Sequence, residues 1–253
     1  SSLSAPPRIS IKRRFMVFSF LPLAVLVILV LPRIYTPAPR RMQSVLVLGG
    51  AGFVGKAICR ELVRVGCINI KTLNRSSSTE IEGVQSVKAD ALNPDAFAQL
   101  QQTDTLIHCI GILAEPKNNP KVTFKSASFD TLQVALENLP NLKRVAYISA
   151  VDFGAASRLF LSPRYMEAKL AAEQLLASQA DQMKVVIARP GFMYGADRSW
   201  TGPFSAVYRF GTLFTGGMFP PPLDVNRLAS HVIEALSRDT SGIQILKVSE
   251  MNK

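Results

Sequence analysis

From residue 44 onward, short runs of aliphatic and β-branched residues alternate with longer stretches in which apolar positions recur every three or four residues. This is the pattern of βαβ units around a parallel sheet. It predicts strands at Val45–Leu48, Ile68–Leu73, Val84–Ala89, Thr105–Cys109, Arg144–Ser149, Lys184–Arg189 and Ile243–Val248. Helices are predicted at Gly52–Val65, Pro94–Gln101, Ser128–Asn138, Pro163–Ala180 and Val225–Ser237. Asn93-Pro94 and Ser162-Pro163 each place a capping side chain before a proline at the first helical position. The expected fold class is α/β, a Rossmann-like doubly wound parallel sheet over residues 44–253. Only 62 residues follow Gly191, so the C-terminal substrate region is expected to be reduced.

Upstream the pattern changes. Phe15 to Pro32 is an eighteen-residue uncharged run, flanked by Arg8, Lys12, Arg13 and Arg14 on one side and by Arg33, Arg40 and Arg41 on the other. That length just suffices to cross a bilayer, so a single transmembrane helix is expected at 15–32, after a basic tail at 1–14. A cleavable signal core or a transit sequence is the competing reading, but the run is long for either and Pro32-Arg33-Ile34-Tyr35 is a poor cleavage site. Residues 33–43, with Pro37 and Pro39, read as a short stiff linker. The start at Ser1 fits a mature organellar protein whose targeting peptide has been removed. Basic residues on both flanks leave the topology open.

The 29 Lys and Arg against 18 Asp and Glu suggest a nucleic-acid partner only until their positions are considered. Nine of the basic residues and none of the acidic ones lie in residues 1–60, leaving a net of +2 for the rest. A basic segment beside an apolar run points to membrane lipid as partner, and not to nucleic acid. Cys59, Cys67 and Cys109 have no CxxC spacing, and His108 and His231 are the only histidines, so no metal site is expected. Three reduced thiols fit a reducing compartment.

The candidate chemistry begins after the first strand. Gly49, Gly50, Gly52 and Gly55, with Phe53 and Val54 between them, form GxxGxxG at a strand-to-helix turn. Gly49 suits the tight turn, Gly52 lets backbone amides approach a pyrophosphate, and Gly55 lets the helix pack on the strand. The helix N-terminus then faces the phosphate charge. A tight turn alone would need the same glycines; the setting between a buried strand and an amphipathic helix favours a dinucleotide. At the end of the second strand an acid would select NAD(H) and an arginine NADP(H). The sequence there is Asn74-Arg75-Ser76, so NADP(H) is expected, with Arg75 and Ser76 at the 2′-phosphate. Asp90 is placed beside the adenine, and Cys109, Ile110 and Gly111 along the cofactor.

Tyr165 and Lys169 stand four residues apart on one predicted helix, with Ser149 at the end of the strand before it. The expectation is that Lys169 favours the phenolate of Tyr165, which exchanges a proton with a carbonyl or alcohol oxygen oriented by Ser149. Lys169 and Tyr165 would also reach the nicotinamide ribose. YxxxK alone arises by chance in many helices; the glycine loop and Ser149 in the right chain order reduce that reading.

With VLVLGGAGFVG, Asp104-TLIHCIG, YISA, YMEAK and Arg189-Pro190-Gly191-Phe192-Met193-Tyr194-Gly195, residues 44–253 resemble the extended or atypical short-chain dehydrogenase/reductase superfamily. Within it, the chain is most similar to members associated with ubiquinone biosynthesis in mitochondria and to plastid relatives. It is more distantly similar to the nucleotide-binding accessory subunit of respiratory complex I. The resemblance implies that Pro190, Gly191 and Phe192 line the cofactor. It also implies the mitochondrial inner membrane, or alternatively a plastid membrane, and a quinone-like substrate or other subunits of a membrane complex as partners. The aromatic, glycine- and proline-rich segment Phe192 to Leu223 suits a flap over the nicotinamide end. An oxidoreductase and a non-catalytic accessory subunit both remain open, because function resides in the site and not the fold.

Overall fold

Val45, Leu46, Val47 and Leu48 are all buried, as a strand covered on both faces requires. Their side chains alternate between two cores. Val45 and Val47 join one, and Leu46 and Leu48 the other. The computed structural model describes residues 42–76, 78–151, 161–198 and 221–252. The predicted span at 15–32 lies outside these. Among the described residues no helix is long and apolar enough to cross a membrane.

In chain order the elements are β1 (Ser44–Leu48), α1 (Phe53–Arg64), β2 (Asn69–Asn74), β3 (Val84–Lys88), a 3-10 turn (Pro94–Leu100) and β4 (Thr105–His108). There follow a π turn (Ser126–Asp130), α2 (Thr131–Asn138), β5 (Arg144–Ile148), α3 (Pro163–Ala177), β6 (Lys184–Arg189), β7 (Met193–Tyr194) and β8 (Leu223–Asp224). The chain closes with α4 (Val225–Ser237), β9 (Ile243–Lys247) and α5 (Val248–Met251). Seven strands form one parallel sheet in the order β3-β2-β1-β4-β5-β6-β9. The direction of winding reverses between β1 and β4, and in such sheets the crevice at the carboxyl ends of those two strands is where ligands bind.

On one face, α1 packs against α4. Ala57, Ile58 and Leu62 meet the layer that holds Leu228, Val232 and Leu236. On the other, Phe97, Leu100, Leu132, Ala172 and Leu176 cover Leu46, Leu106, Tyr147 and Ile187. The chain enters at Gln43 and Ser44, whose amides both donate to the buried carboxylate of Asp104, at 2.9 and 3.3 Å. α1 ends where Gly66 turns to φ +78°, and the Cys67 amide returns to the Leu62 carbonyl.

Three departures from the predicted elements have physical causes. The segment after Asn93 is a 3-10 turn and not an α-helix, although the Asn93 side chain caps it as expected by accepting from the Asp95 amide. Seven residues are too few for its i→i+4 pattern to prevail. The helix predicted from Ser128 begins with a π turn, in which one extra residue shifts the face presented to the core. Ser162 caps α3 by position only, with no side-chain hydrogen bond.

Candidate functional site

Gly49 leaves β1 at φ +77°, a conformation that favours glycine, and its amide donates to the Leu73 carbonyl at 2.9 Å. Behind it the loop folds back tightly. A Cβ on Gly55 would lie 2.2 Å from the Gly49 carbonyl oxygen, and one on Gly50 would lie 2.3 Å from Cγ2 of Thr72. α1 then starts at Phe53 with Gly52 exposed at its N-cap, and no side chain caps it. The first-turn amides are thus left for an anion, the setting the glycine spacing anticipated. The second wall of the crevice comes from β4: Ile110 approaches Gly49, and Gly111 lies opposite the Lys169 ammonium, with 3.6 Å between a Cβ there and Nζ.

Asn74 is the residue that sequence reasoning missed. Its Oδ1 accepts from the Ala51 amide at 2.8 Å. Its Nδ2 lies within hydrogen-bond reach of the hydroxyls of Thr72, Thr79 and Ser86, at 3.0 to 3.3 Å. This buried network joins the glycine loop to β2, β3 and the connection between them. A cluster of Thr, Asn, Thr and Ser in otherwise apolar strands was the available signal.

The other expected nucleotide residues fall in varied settings. Arg75 and Ser76 are exposed just beyond the end of β2. Asp90 is also exposed, and its carboxylate accepts from the Leu92 amide in a local turn. The thiol of Cys109 is pushed well up by burial, so Cys109 lines the crevice as a neutral group. Burial likewise lifts Cys59 to about 12. Phe53 turns its ring to the segment after β7. The Arg198 guanidinium lies 4.7 Å from the ring centroid, and Arg60 holds Asp197 in a bidentate pair at 2.5 and 2.9 Å. Val54 packs partly buried against the α1–α4 core. Pro190 is buried and its carbonyl accepts from the Val151 amide; the Phe192 carbonyl accepts from Leu223 where β7 pairs with β8, a two-residue ladder too short to predict.

Beyond the glycine loop, Lys169 stands near the Tyr165 ring and holds the strand end next to Ser149. Lys169 is 3% exposed, donates to the Ile148 carbonyl at 2.8 Å, and sits 4.9 and 5.9 Å from the ring centroids of Tyr147 and Tyr165. Ser149, next in chain to Ile148, is buried with its hydroxyl unpartnered among the described residues. Burial pushes the Tyr165 phenol up, and its ring meets Phe124 edge to face at 5.5 Å. Desolvation thus holds Tyr165 as a neutral phenol in the resting chain. His108, also buried, is pressed down to about 3 by desolvation first and by Lys169 second. Its Nε2 meets Thr131 Oγ1 at 2.8 Å, and that hydroxyl gives its own hydrogen to the Ala127 carbonyl. His108 therefore donates through Nε2 and leaves Nδ1 as a bare acceptor.

Burial also lowers Lys169 to about 8 from 10.5, with Cys109 and Glu173 opposing the shift. The unfolded chain then binds more protons than the folded one between those two values, so this group adds stability as pH rises through that window. Below pH 8 the full penalty applies. Lys169→Met is expected to be more stable than the parent by up to about 3 kcal/mol at pH 7, with the gap closing by pH 10.5. Urea unfolding of both proteins across that range measures it; a gap independent of pH would contradict the assignment.

A separate cavity of about 330 Å³ opens along α3, lined by Phe124, Phe129, Ala168 and Ala171 together with Glu115, Lys125, Arg164 and Glu167. It meets the Tyr165 ring's neighbour Phe124, and none of its lining residues belongs to the glycine loop or to β4.

The NAD dependent epimerase/dehydratase family matches residues 45–209, and the chain belongs to that family. It is 25% identical over 218 residues to "MIOREX complex component 2" of Saccharomyces cerevisiae, covering 66% of this chain and 78% of the relative. Among solved structures, the Bordetella bronchiseptica enzyme WbmF in complex with NAD+ superposes with a TM-score of 0.59 at 17% identity, over 82% of this chain and 73% of WbmF. A short-chain dehydrogenase/reductase family oxidoreductase from Burkholderia thailandensis gives 0.63 at 18% identity, over 81% of this chain and 90% of its own. These two likenesses define the fold.

Proposed function

We propose that this protein is an NADP(H)-dependent oxidoreductase, held at the mitochondrial inner membrane by residues 15–32, that reduces the carbonyl of a hydrophobic or quinone-pathway substrate. The observation that carries the reading is the cost of its inner site: a buried lysine near a phenol ring, and a buried Ser149 hydroxyl without a partner among the described residues. Structural packing alone gains nothing from either group.

The residues fit a dinucleotide. The amides at the start of α1 would hold the pyrophosphate, and Arg75 and Ser76 the 2′-phosphate. Lys169, Gly111 and the Pro190–Phe192 segment would hold the nicotinamide half. The bound nucleotide supplies a hydride. The chain does the rest. Ser149 donates its free hydroxyl to the carbonyl oxygen and orients it, and Tyr165 gives that oxygen its proton. The Lys169 ammonium, 5.9 Å from the phenol ring, stabilises the phenolate left behind. The neutral phenol is the form that has a proton to give, as reduction of a carbonyl requires.

A second reading is a non-catalytic nucleotide-binding subunit of a membrane complex such as a respiratory assembly. The similarity to a relative named as a complex component supports it. Nucleotide would then stabilise the fold by linkage alone.

Full-length protein in mild detergent, titrated with NADPH and NADH and then assayed for NADPH oxidation with a short-chain quinone, tests the proposal. The parent is expected to prefer NADPH, and Arg75→Ala to weaken NADPH about 10-fold while sparing NADH, as expected for an exposed charge–phosphate contact. Equal affinities in the parent, unchanged by the substitution, would overturn the NADP(H) assignment, and absent turnover the enzymatic one.

A further inference from the structure

One turn beyond Lys169, Glu173 is almost completely buried on the same helix. Its carboxylate is held by Arg189 at the end of β6, with Nε to Oε1 at 3.0 Å and Nη2 to Oε2 at 2.5 Å. The buried carboxylate is thus paired with one cation and stands one helical turn from a second. One of them, the arginine, cannot lose its proton; the other, the lysine, can.

We propose that Glu173 and Arg189 act as a positioning pair that sets the charge state of Lys169, and through it the readiness of the Tyr165 site. This rests on the reading of Lys169 as a site residue. Few groups among the described residues face Lys169. They are Cys109 and His108 from β4, the Tyr147 ring from β5, Tyr165 and Glu173 from α3, and Arg189 from β6 acting through Glu173. Cys109, His108 and the two phenols are neutral near pH 7, so Glu173 is the anion among them. How far Glu173 attracts the lysine proton depends on how fully Arg189 neutralises it. The same pair ties the end of β6, and so the start of Pro190–Phe192, to the helix that carries Tyr165 and Lys169.

The two partners of an ordinary structural ion pair do the same harm when removed. Here they must act in opposite directions. Glu173→Gln removes the negative charge one helical turn from the lysine and keeps the positive charge of Arg189, so Lys169 should give up its proton at lower pH. Arg189→Gln bares Glu173 toward the lysine, so Lys169 should keep its proton to higher pH. Shifts of about one pH unit each way are expected for an adjacent charge of this kind.

The readout needs neither nucleotide nor turnover: it is the pH at which the stability gap between each full-length protein and its Lys169→Met counterpart begins to shrink, which marks the folded-state titration of Lys169. Displacements in opposite directions support the pair; displacements in the same direction, or none, overturn it. If either single variant does not fold, Glu173→Gln/Arg189→Gln, which removes both charges together, serves instead. Its gap should begin to shrink within about half a pH unit of the parent's, since neutralised and absent partners leave Lys169 alike, and a larger move overturns the proposal. A protein without turnover would sink the oxidoreductase reading and leave this result intact.

Discussion

Tyr165→Phe is expected to reduce NADPH oxidation by about 10² to 10⁴-fold, the usual contribution of a positioned proton donor. The substitution removes one oxygen and keeps the ring that packs edge to face on Phe124, so the melting temperature should change little. Nucleotide affinity should fall by less than about 10-fold, since at most one neutral hydrogen bond is lost. Separating the three measurements is what gives the experiment its force. A stopped-flow assay records turnover, equilibrium titration records affinity, and a thermal scan records folding. Loss of turnover with the other two preserved assigns the proton to Tyr165. Turnover undiminished in the variant would mean that another group gives the proton, and the neutral phenol would then be a core residue.

Gly55→Ala should act on the other half of the site. The new methyl carbon would lie 2.2 Å from the Gly49 carbonyl oxygen and 2.6 Å from Cα of Gly50, both of them backbone atoms that no rotamer change can move aside. Relief requires α1 to back away from the loop. That disturbs packing against α4 and is expected to cost at least about 3 kcal/mol, the upper range for overpacking. The amides at the start of α1 would move with it. Losing two hydrogen bonds to a charged phosphate corresponds to about 100-fold or more in affinity. Gly66→Ala is the control. Gly66 also has a positive φ, +78°, but a Cβ there meets nothing within 4 Å and lies at the far end of α1. It should cost stability of about 1 to 2 kcal/mol and leave nucleotide affinity unchanged. Equal effects of the two alanines on binding would show that the loop matters only for folding.

Much of the sheet was legible because a strand covered on both faces appears as an unbroken apolar run. Val45–Leu48 and Lys184–Arg189 carry that signal without competition from turns. The glycine loop was legible for a related reason, since three glycines at that spacing after such a run answer to one steric problem. Other features depend on contacts between residues far apart in the chain. Asn74 looked like a bystander to Arg75 until β3 and the 75–83 connection brought Ser86 and Thr79 to its amide. The π turn at Ser126–Asp130 leaves no trace in hydrophobic spacing, because one inserted residue only slides the pattern. At Tyr165 the i, i+4 spacing reports proximity to Lys169 but not the burial that raises the phenol. The Glu173–Arg189 pair joins a helix to a strand sixteen residues on, which no local pattern encodes.

The contact between Gly50 and Thr72 also limits how this sequence can drift. Alanine at position 50 would meet Cγ2 of Thr72 at 2.3 Å and its Cβ at 2.7 Å, so even serine at 72, which keeps the Cβ, leaves an overlap. Only a glycine at 72 would clear the space, and it would remove the hydroxyl that Asn74 uses. Neither substitution is tolerable before the other, and the pair together frees the loop from its support. Positions 50 and 72 should therefore be inherited as a unit, and a lineage that changed one would have had to rebuild the turn from Asn74 outward.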